Sequence, residues 1–225
     1  MSMTPADLRY TKSHEWLRTL PDGSIEIGDS NFAKSIYMNR IAARQFKMTG
    51  SSVGSGDDDK TGTLSLSAAT PGTIAISRST FTKEIFSGNA RIGAYDLADV
   101  AVPTFDCTDC IIDQYLTLGG RFSKEVRLFG AEIKSQLRLR ENNSCARWGE
   151  GAVLDLRGMR TRAIAADYVD LQIEAANSTP ATSPGPCAAK TVRTRISGAD
   201  FQQIMPGFRP STVDERSTPQ EPAST

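Results

Sequence analysis

The sequence carries one C-x-x-C pair, Cys107 and Cys110, a spacing that suits a redox couple or half of a zinc site. The other two cysteines stand alone, so a zinc site would lack its second close pair. Both paired cysteines fall in positions that Leu97 and Val100 occupy ten residues earlier, which favours small apolar side chains that point into a core. Four cysteines in 225 residues do not resemble a secreted disulfide framework, so we predict reduced thiols.

His14 is the only histidine in the chain, so any catalytic triad or multi-histidine metal site would have to use it. Its surroundings favour a structural histidine in a hairpin. Residues 57–59 are three consecutive aspartates in a segment rich in Gly and Ser, and adjacent carboxylates without EF-hand spacing are typical of a solvated loop. The sequence therefore predicts no catalytic residue, no metal site and no cofactor.

Arginine is the residue type that carries a functional argument. Residues 121–162 hold 10 Lys and Arg against 5 Asp and Glu. If rows of a repeat stack, arginines ten or twenty residues apart would form a stripe that contacts phosphates or an acidic partner. The alternative is that acidic residues such as Glu125 and Asp155 pair with them across rows. The candidate partner-binding residues are Arg138, Arg140, Arg147, Arg157, Arg160 and Arg162.

The elements that would position these arginines recur about every ten residues from Ser35 to about Leu171. Apolar residues alternate within short rows such as 124–133 and 152–159, which is the pattern of half-buried strands. Two rows would form one turn of a coil, so we predict an all-β fold, a right-handed β-helix (solenoid) of about seven turns. A β-sandwich, whose strands recur at similar spacing, is the alternative fold.

The rows resemble the pentapeptide-repeat class of right-handed β-helices. The segment Ala199-Asp200-Phe201-Gln202-Gln203, with a small residue two positions before Phe, fits a unit of that class closely, and residues 130–133 and 153–158 fit it loosely. The resemblance implies a rigid interaction scaffold. Some members of the class mimic DNA with an acidic rod, but a neutral chain with a basic middle segment does not fit that role.

A second resemblance covers residues 4–28. The segments Pro5-Ala6-Asp7-Leu8-Arg9-Tyr10-Thr11-Lys12-Ser13-His14-Glu15-Trp16-Leu17-Arg18 and Asp22-Gly23-Ser24-Ile25-Glu26-Ile27-Gly28 look like the amino terminus of the glycine cleavage system H protein. That family is a lipoyl carrier with a β-rich fold, and its activity requires a Lys in a Glu-Ser-Val-Lys-type motif. Val-Lys does not occur in this chain, so the resemblance does not carry the lipoyl function over.

Three regions follow from these patterns. We predict an H-protein-like N-terminal hairpin at 1–28, a β-solenoid repeat domain at 29–175 and a largely disordered Pro/Ser/Thr-rich tail at 176–225. Within the tail, residues 196–204 return to the repeat pattern and would dock as a last row. The hairpin would cover unpaired strand edges at the end of the coil.

The function predicted from the sequence is a non-enzymatic repeat scaffold that binds a protein or polyanionic partner through an exposed solenoid face. No small-molecule substrate is implied. No apolar run approaches the roughly 18 residues of a membrane span and no apolar signal core is present, so we expect a cytoplasmic protein without a membrane partner. The alternative function is an accessory or degenerate carrier related to the glycine cleavage system H protein, and a third is a weak redox role for Cys107 and Cys110.

Overall fold

A computed structural model describes residues 9–10, 16–56, 61–141, 144–165, 171–173 and 192–204. All regular structure in these residues is β-strand, so the fold is all-β, as the alternating apolar pattern predicts. No helix long and apolar enough to cross a membrane occurs in this part of the chain. His14, the aspartates at 57–59 and the predicted disordered segments at 177–185 and 209–225 lie outside the described residues.

The strands are short, apart from two that run for 13 residues. In chain order they are β1 (Arg9–Tyr10), β2 (Trp16–Thr19), β3 (Ile25–Gly28), β4 (Asn31–Phe32), β5 (Ile36–Tyr37), β6 (Gln45–Thr49), β7 (Ser52–Val53), β8 (Thr63–Ser65), β9 (Thr73–Ser77), β10 (Thr80–Phe81), β11 (Glu84–Phe86), β12 (Arg91–Ile92), β13 (Ala94–Asp106), β14 (Ile111–Ile112), β15 (Tyr115–Arg127), β16 (Glu132–Arg138), β17 (Arg140–Glu141), β18 (Ser144–Trp148), β19 (Val153–Asp155), β20 (Arg160–Ala165), β21 (Leu171–Ile173), β22 (Val192–Arg195) and β23 (Asp200–Ile204).

Most strands pair in parallel, and the pairs form four series in which aligned residues are often 21 positions apart in the chain. The first series aligns Ile25, Phe46, Ile74, Tyr95, Leu116, Leu137 and Ile164. The second aligns Asn31, Ser52, Thr80, Ala101, Arg121 and Arg147. The third aligns Ile36, Leu64, Ile85, Phe105, Val126, Leu154 and Thr194. The fourth aligns Ile92, Ile112, Ile133, Thr161 and Phe201.

The chain passes through the series in a constant order. β13 and β15 each run through the first three series, with register shifts in their pairing between Leu97 and Val100 and between Val102 and Thr104. The separation between aligned residues rises to 28 where the polar insert around residues 54–61 lies. The apolar residues that alternate along the strands face inward, and they form one hydrophobic core that all four series share.

The turn that links the third series to the fourth has the same structure each time the chain passes from one to the other. Two inward residues enclose two outward ones, and the second outward residue has a positive φ, as at Asn89 (58°), Asp109 (53°) and Gly130 (66°). The N–H of the last residue donates to the carbonyl of the first, as from Ala131 to Leu128 at 3.1 Å. Positive φ favours Gly, Asn and Asp, which suits these three residues, but Arg40 (57°) and Ala68 (50°) adopt the same conformation earlier in the chain.

Cys107 and Cys110 are the two inward residues of one such turn. Both are completely buried, which confirms the predicted core position, but they form a disulfide, so the prediction of reduced thiols is wrong. The reason is the turn itself, which brings their Cα atoms to 5.3 Å, within the range that a disulfide spans. In the next turn of this kind along the chain, Leu128 and Ala131 occupy the positions of the two cysteines. Equivalent positions are therefore 21 residues apart, and not ten as the sequence pattern predicts.

The N-terminal hairpin adds antiparallel strands to the first series. β1 pairs with β2, and β2 pairs with β3, which β6 flanks on its other edge. The predicted turn is present: Gly23 N–H donates to the Leu20 carbonyl at 2.9 Å, and Ser24 N–H donates to Asp22 Oδ1 at 3.0 Å. The hairpin therefore covers the edge of β3 that would otherwise be open.

Strands continue beyond residue 175. β22 pairs with β19 and β21, and β23 pairs with β20, all in parallel. The segment at 196–204 thus continues the parallel pairing, as the sequence pattern predicts. The four residues of β22, which precede it, are paired as well. The position of the domain boundary stays a prediction.

Candidate anionic-partner interface

The structure distributes the six candidate arginines over several parts of the surface. Arg138 lies on β16, Arg140 on β17, Arg147 on β18, Arg157 in the turn before the fourth series, and Arg160 and Arg162 on β20. Side chains become neighbours when they are aligned in a series, at separations of 20 or more residues, whereas a separation of ten moves a residue to another series. The arginines therefore do not form one continuous stripe.

Arg157 is held within the protein. Its Nε and Nη2 donate to Asp155 Oδ1 at 2.9 Å and Oδ2 at 2.7 Å, and its guanidinium lies 5.6 Å from the centre of the Phe129 ring. Burial alone would raise the pKa of the Asp155 carboxyl, but hydrogen bonds from Arg157 and the nearby charge of Arg195 lower it overall. Arg157 is therefore paired within the protein, although with a residue two positions earlier in the chain and not across rows as the alternative prediction has it.

Arg138 is also engaged. Its Nε donates to Gln136 Oε1 at 2.7 Å, and its guanidinium stacks 4.3 Å from the centre of the Tyr115 ring. Arg160 is aligned between Glu132 and Asp200 in the fourth series, so its neighbours above and below are acidic. Arg138 is thus held by neutral groups, and Arg160 lies beside acidic residues.

Arg147 differs from these residues because its aligned neighbour is another arginine, Arg121. Both side chains are exposed, and in the part of the chain that the structure describes neither has a carboxylate at ion-pairing distance. Sequence reasoning missed Arg121 as a site residue, since the hairpin β17–β18 makes its separation from Arg147 larger than the regular 21 residues.

A shallow depression lies beside Arg121. Three aligned strands each present two outward residues there: Thr80 and Thr82, then Ala101 and Pro103, then Arg121 and Ser123. Ala101 is shorter than its neighbours on either side, so it forms a floor between two walls. The depression holds about 370 Å³, and we call it the basic trough.

Two lysines complete the positive charge of the basic trough. Lys83 and Lys124 directly precede the aligned residues Glu84 and Glu125, so they flank Pro103 on its two sides. Both are exposed and, among the described residues, neither is in an ion pair. Glu125 itself is bound by Arg127, 2.5 Å away. The trough is therefore an apolar floor with cations on its rim.

Several cations elsewhere on the surface are paired with carboxylates. Asp113 contacts Lys134 at 2.5 Å and Arg91 at 3.6 Å, and the lysine contact in particular lowers the pKa of the Asp113 carboxyl. Glu26 likewise binds Arg18 and Lys47, and these contacts lower its pKa. In the basic trough, Arg121, Lys83 and Lys124 have no such partner among the described residues.

No group of three or more His, Cys, Asp and Glu side chains that could hold a metal occurs among the described residues. The disulfide of Cys107 and Cys110 lies in the core, so neither sulfur is accessible to a partner. The geometry thus defines a class of protein, an all-β chain of repeated parallel strands, and among its described residues Arg121 and Arg147 are aligned without a carboxylate partner.

Comparison with known proteins adds a relationship at the N-terminal region. Over 57 residues the chain is 42% identical to the glycine cleavage system H protein of Burkholderia vietnamiensis, which is 25% of this chain and 44% of that protein. Over 35 residues it is 57% identical to the H protein of Opitutus terrae, which is 16% of this chain and 28% of that protein. The chain thus spans less than half the length of these curated relatives. No protein-family model matches the chain, and no solved structure matches it significantly.

Proposed function

We propose that this chain is a non-enzymatic scaffold, a right-handed β-solenoid of the pentapeptide-repeat-like class, that binds an anionic protein or a polyanion through one exposed face. The repeated 21-residue register and the constant order of the four series support the solenoid. Such a rod presents side chains at the inter-strand spacing of about 4.8 Å, which suits a long surface contact.

The observation that carries the proposal is the alignment of Arg121 with Arg147 without a carboxylate partner among the described residues. Two guanidiniums side by side repel each other, and a bound anion would remove that repulsion and accept their hydrogen bonds. Of the region from Arg138 to Arg162, we assign the partner contact first to Arg147, together with Arg121. Arg138 and Arg157 are already engaged within the protein.

The test is binding of heparin, as a generic polyanion, to the full chain and to the double variant Arg121→Ser/Arg147→Ser. We expect the variant to bind about tenfold more weakly, because two charge-assisted contacts are lost. The difference should shrink as NaCl rises from about 0.05 to 0.5 M, since exposed charges are screened.

The matched control is Arg44→Ser/Arg91→Ser, which removes the same charge from exposed arginines that are 73% and 60% accessible and pair with Asp22 and Asp113. We expect this control to bind heparin nearly as the wild type does. Equal losses in both double variants would show that only net charge matters, and the assignment of the contact to Arg121 and Arg147 would be wrong.

The second candidate function is an accessory or degenerate carrier related to the glycine cleavage system H protein. The similarity at the N-terminal region favours it. The measurement is the intact mass of the protein isolated from cells that lipoylate their own H protein. A mass increase that matches a lipoyl group on a lysine supports the carrier function, and an unmodified mass in the presence of a lipoylated control contradicts it.

A further inference from the structure

The shape of the basic trough limits what can occupy it. Its walls, formed by the strands that carry Thr80 and Arg121, lie two strand positions apart, which corresponds to about 10 Å. An α-helix with its side chains is about 10–12 Å wide and would rest on the rim. A single extended segment is narrow enough to lie along the floor between the walls.

The floor is apolar, and a uniform polyanion gains little from it. Ala101 and Pro103 are half-buried and offer methyl and ring carbons, and Pro103 has no backbone N–H to donate. A chain of phosphates or sulfates would contact only the rim. An apolar side chain that enters the trough would remove its own surface and that of the floor from water, which favours binding. The floor therefore favours a ligand that is partly apolar.

The rim supplies the complementary half of the recognition. Arg121 is aligned beside Ala101, and Arg147 is aligned beside Arg121 on its far side. Lys83 and Lys124 flank Pro103. Cations on the rim of an apolar floor match a ligand that has carboxylates on either side of one apolar group. The hydroxyls of Thr80 and Ser123 add polar groups along the walls, whereas the Thr82 hydroxyl donates to backbone carbonyls at Gly54 and Thr61.

From this geometry we propose that the basic trough binds an extended acidic peptide segment of a partner protein, with one large apolar side chain on the floor of Ala101 and Pro103. Carboxylates on either side of that residue would contact Arg121, Arg147 and the two lysines. The proposal rests on the proposed function, because it names the kind of anionic partner that the same surface takes.

The experiment compares two fluorescein-labelled peptides of equal charge, Asp-Glu-Phe-Glu-Asp and Asp-Glu-Ala-Glu-Asp, by fluorescence anisotropy with the full chain. We expect the Phe peptide to bind about tenfold more tightly, as burial of an aromatic side chain would give. Heparin binding is measured in parallel with the same protein samples.

Two variants test the floor without removing a cation. Ala101→Leu fills the trough, and Ser123→Asp adds a repelling carboxylate to its wall. Ala98→Leu is the size-matched control, since Ala98 is a half-buried residue of β13 outside the trough. We expect Ala101→Leu to abolish the preference for the Phe peptide while heparin binding and the Ala98→Leu control stay unchanged. Ser123→Asp should weaken binding of both peptides, and melting curves check that each variant folds.

The outcomes separate this proposal from the proposed function. Equal affinity for the two peptides, or an unchanged preference in Ala101→Leu, overturns the peptide proposal and leaves a general anion-binding face. Binding of heparin without binding of either peptide also overturns the peptide proposal and identifies a polyanion as the partner. Failure of heparin and both peptides to bind contradicts the proposed function as well.

Discussion

Two neighbouring faces of the molecule use arginine in opposite ways. On the third series, Asp106, Arg127, Asp155 and Arg195 are aligned with alternating charge, and we call them the charge ladder. Arg127 contacts Asp106 at 2.6 Å there. On the second series, Arg121 is aligned with Arg147 and no carboxylate among the described residues pairs with either.

The difference shows that the role of an arginine depends on what the register places beside it. Asp106 and Asp155 are almost fully buried, so the cations of the charge ladder offset the cost of burying these carboxylates and contribute to stability. Contacts to Glu125 and Asp106 raise the pKa of Arg127 although burial opposes this change. In the basic trough the cations neutralise nothing within the described chain, which leaves them available to a partner.

Among the variants that test this difference between the two faces, Asp155→Ala is expected to change the free energy of unfolding most. The carboxylate is 1% exposed, accepts the N–H of Arg157 at 3.2 Å and binds the Arg157 side chain. We expect its removal to lower the free energy of unfolding by about 2 kcal/mol, since the Arg157 N–H and guanidinium lose a charged acceptor. Urea unfolding measures the loss. A variant as stable as the wild type would show that the charge ladder contributes no stability.

Arg127→Ser and Arg121→Ser are expected to change stability less, and the difference between their two losses compares the two faces directly. Arg127→Ser leaves the buried Asp106 carboxylate without its cation and should cost about 1 kcal/mol, a value reduced by the 40% exposure of the Arg127 side chain. Arg121→Ser should change stability by less than about 0.5 kcal/mol. Thermal unfolding of both variants checks this, and equal losses would mean that the two faces do not differ in the way we describe.

Much of the fold follows from the sequence, because strand alternation is a local property. Ile74 and Ile76, or Leu116 and Leu118, point inward at a spacing of two, and both pairs are buried as the pleat requires. The glycine at position 130 also marks its turn, where a left-handed backbone is needed.

The candidate site follows from the sequence much less well, because it depends on register. The β17–β18 hairpin shifts the alignment, so that Arg147 meets Arg121 and not a residue at a regular spacing. Ala101 and Pro103 carry no chemical signal of their own, and Ala101 forms a floor only because the longer side chains of Thr80 and Arg121 are aligned on either side. The cysteine pair shows the same limit, since the turn geometry that joins Cys107 to Cys110 is not a property of the spacing alone.

The smallest expected effect, and the finest test of the comparison, is the pH dependence of stability. The pKa of Asp155 is lowered in the folded protein from its usual 3.8, because bonds from Arg157 and the charge of Arg195 outweigh burial. The unfolded chain therefore takes up the proton first as pH falls. The stability that this carboxylate contributes is complete above about pH 5 and is lost as pH falls through 3.8 toward the lowered value.

Asp155→Asn removes this titration and keeps the shape of the side chain, so its stability should fall less steeply than that of the wild type below about pH 4. Arg121→Ser should follow the wild type at every pH, because no carboxylate of the described chain depends on Arg121 for its charge. Urea midpoints between about pH 2.5 and 7 give the three curves. Parallel acid limbs for Asp155→Asn and the wild type would contradict the stabilising role of the charge ladder. If the stability of Arg121→Ser instead fell less steeply at low pH than that of the wild type, Arg121 would have a carboxylate partner in the trough. The two faces would then differ only in the extent of their charge pairing.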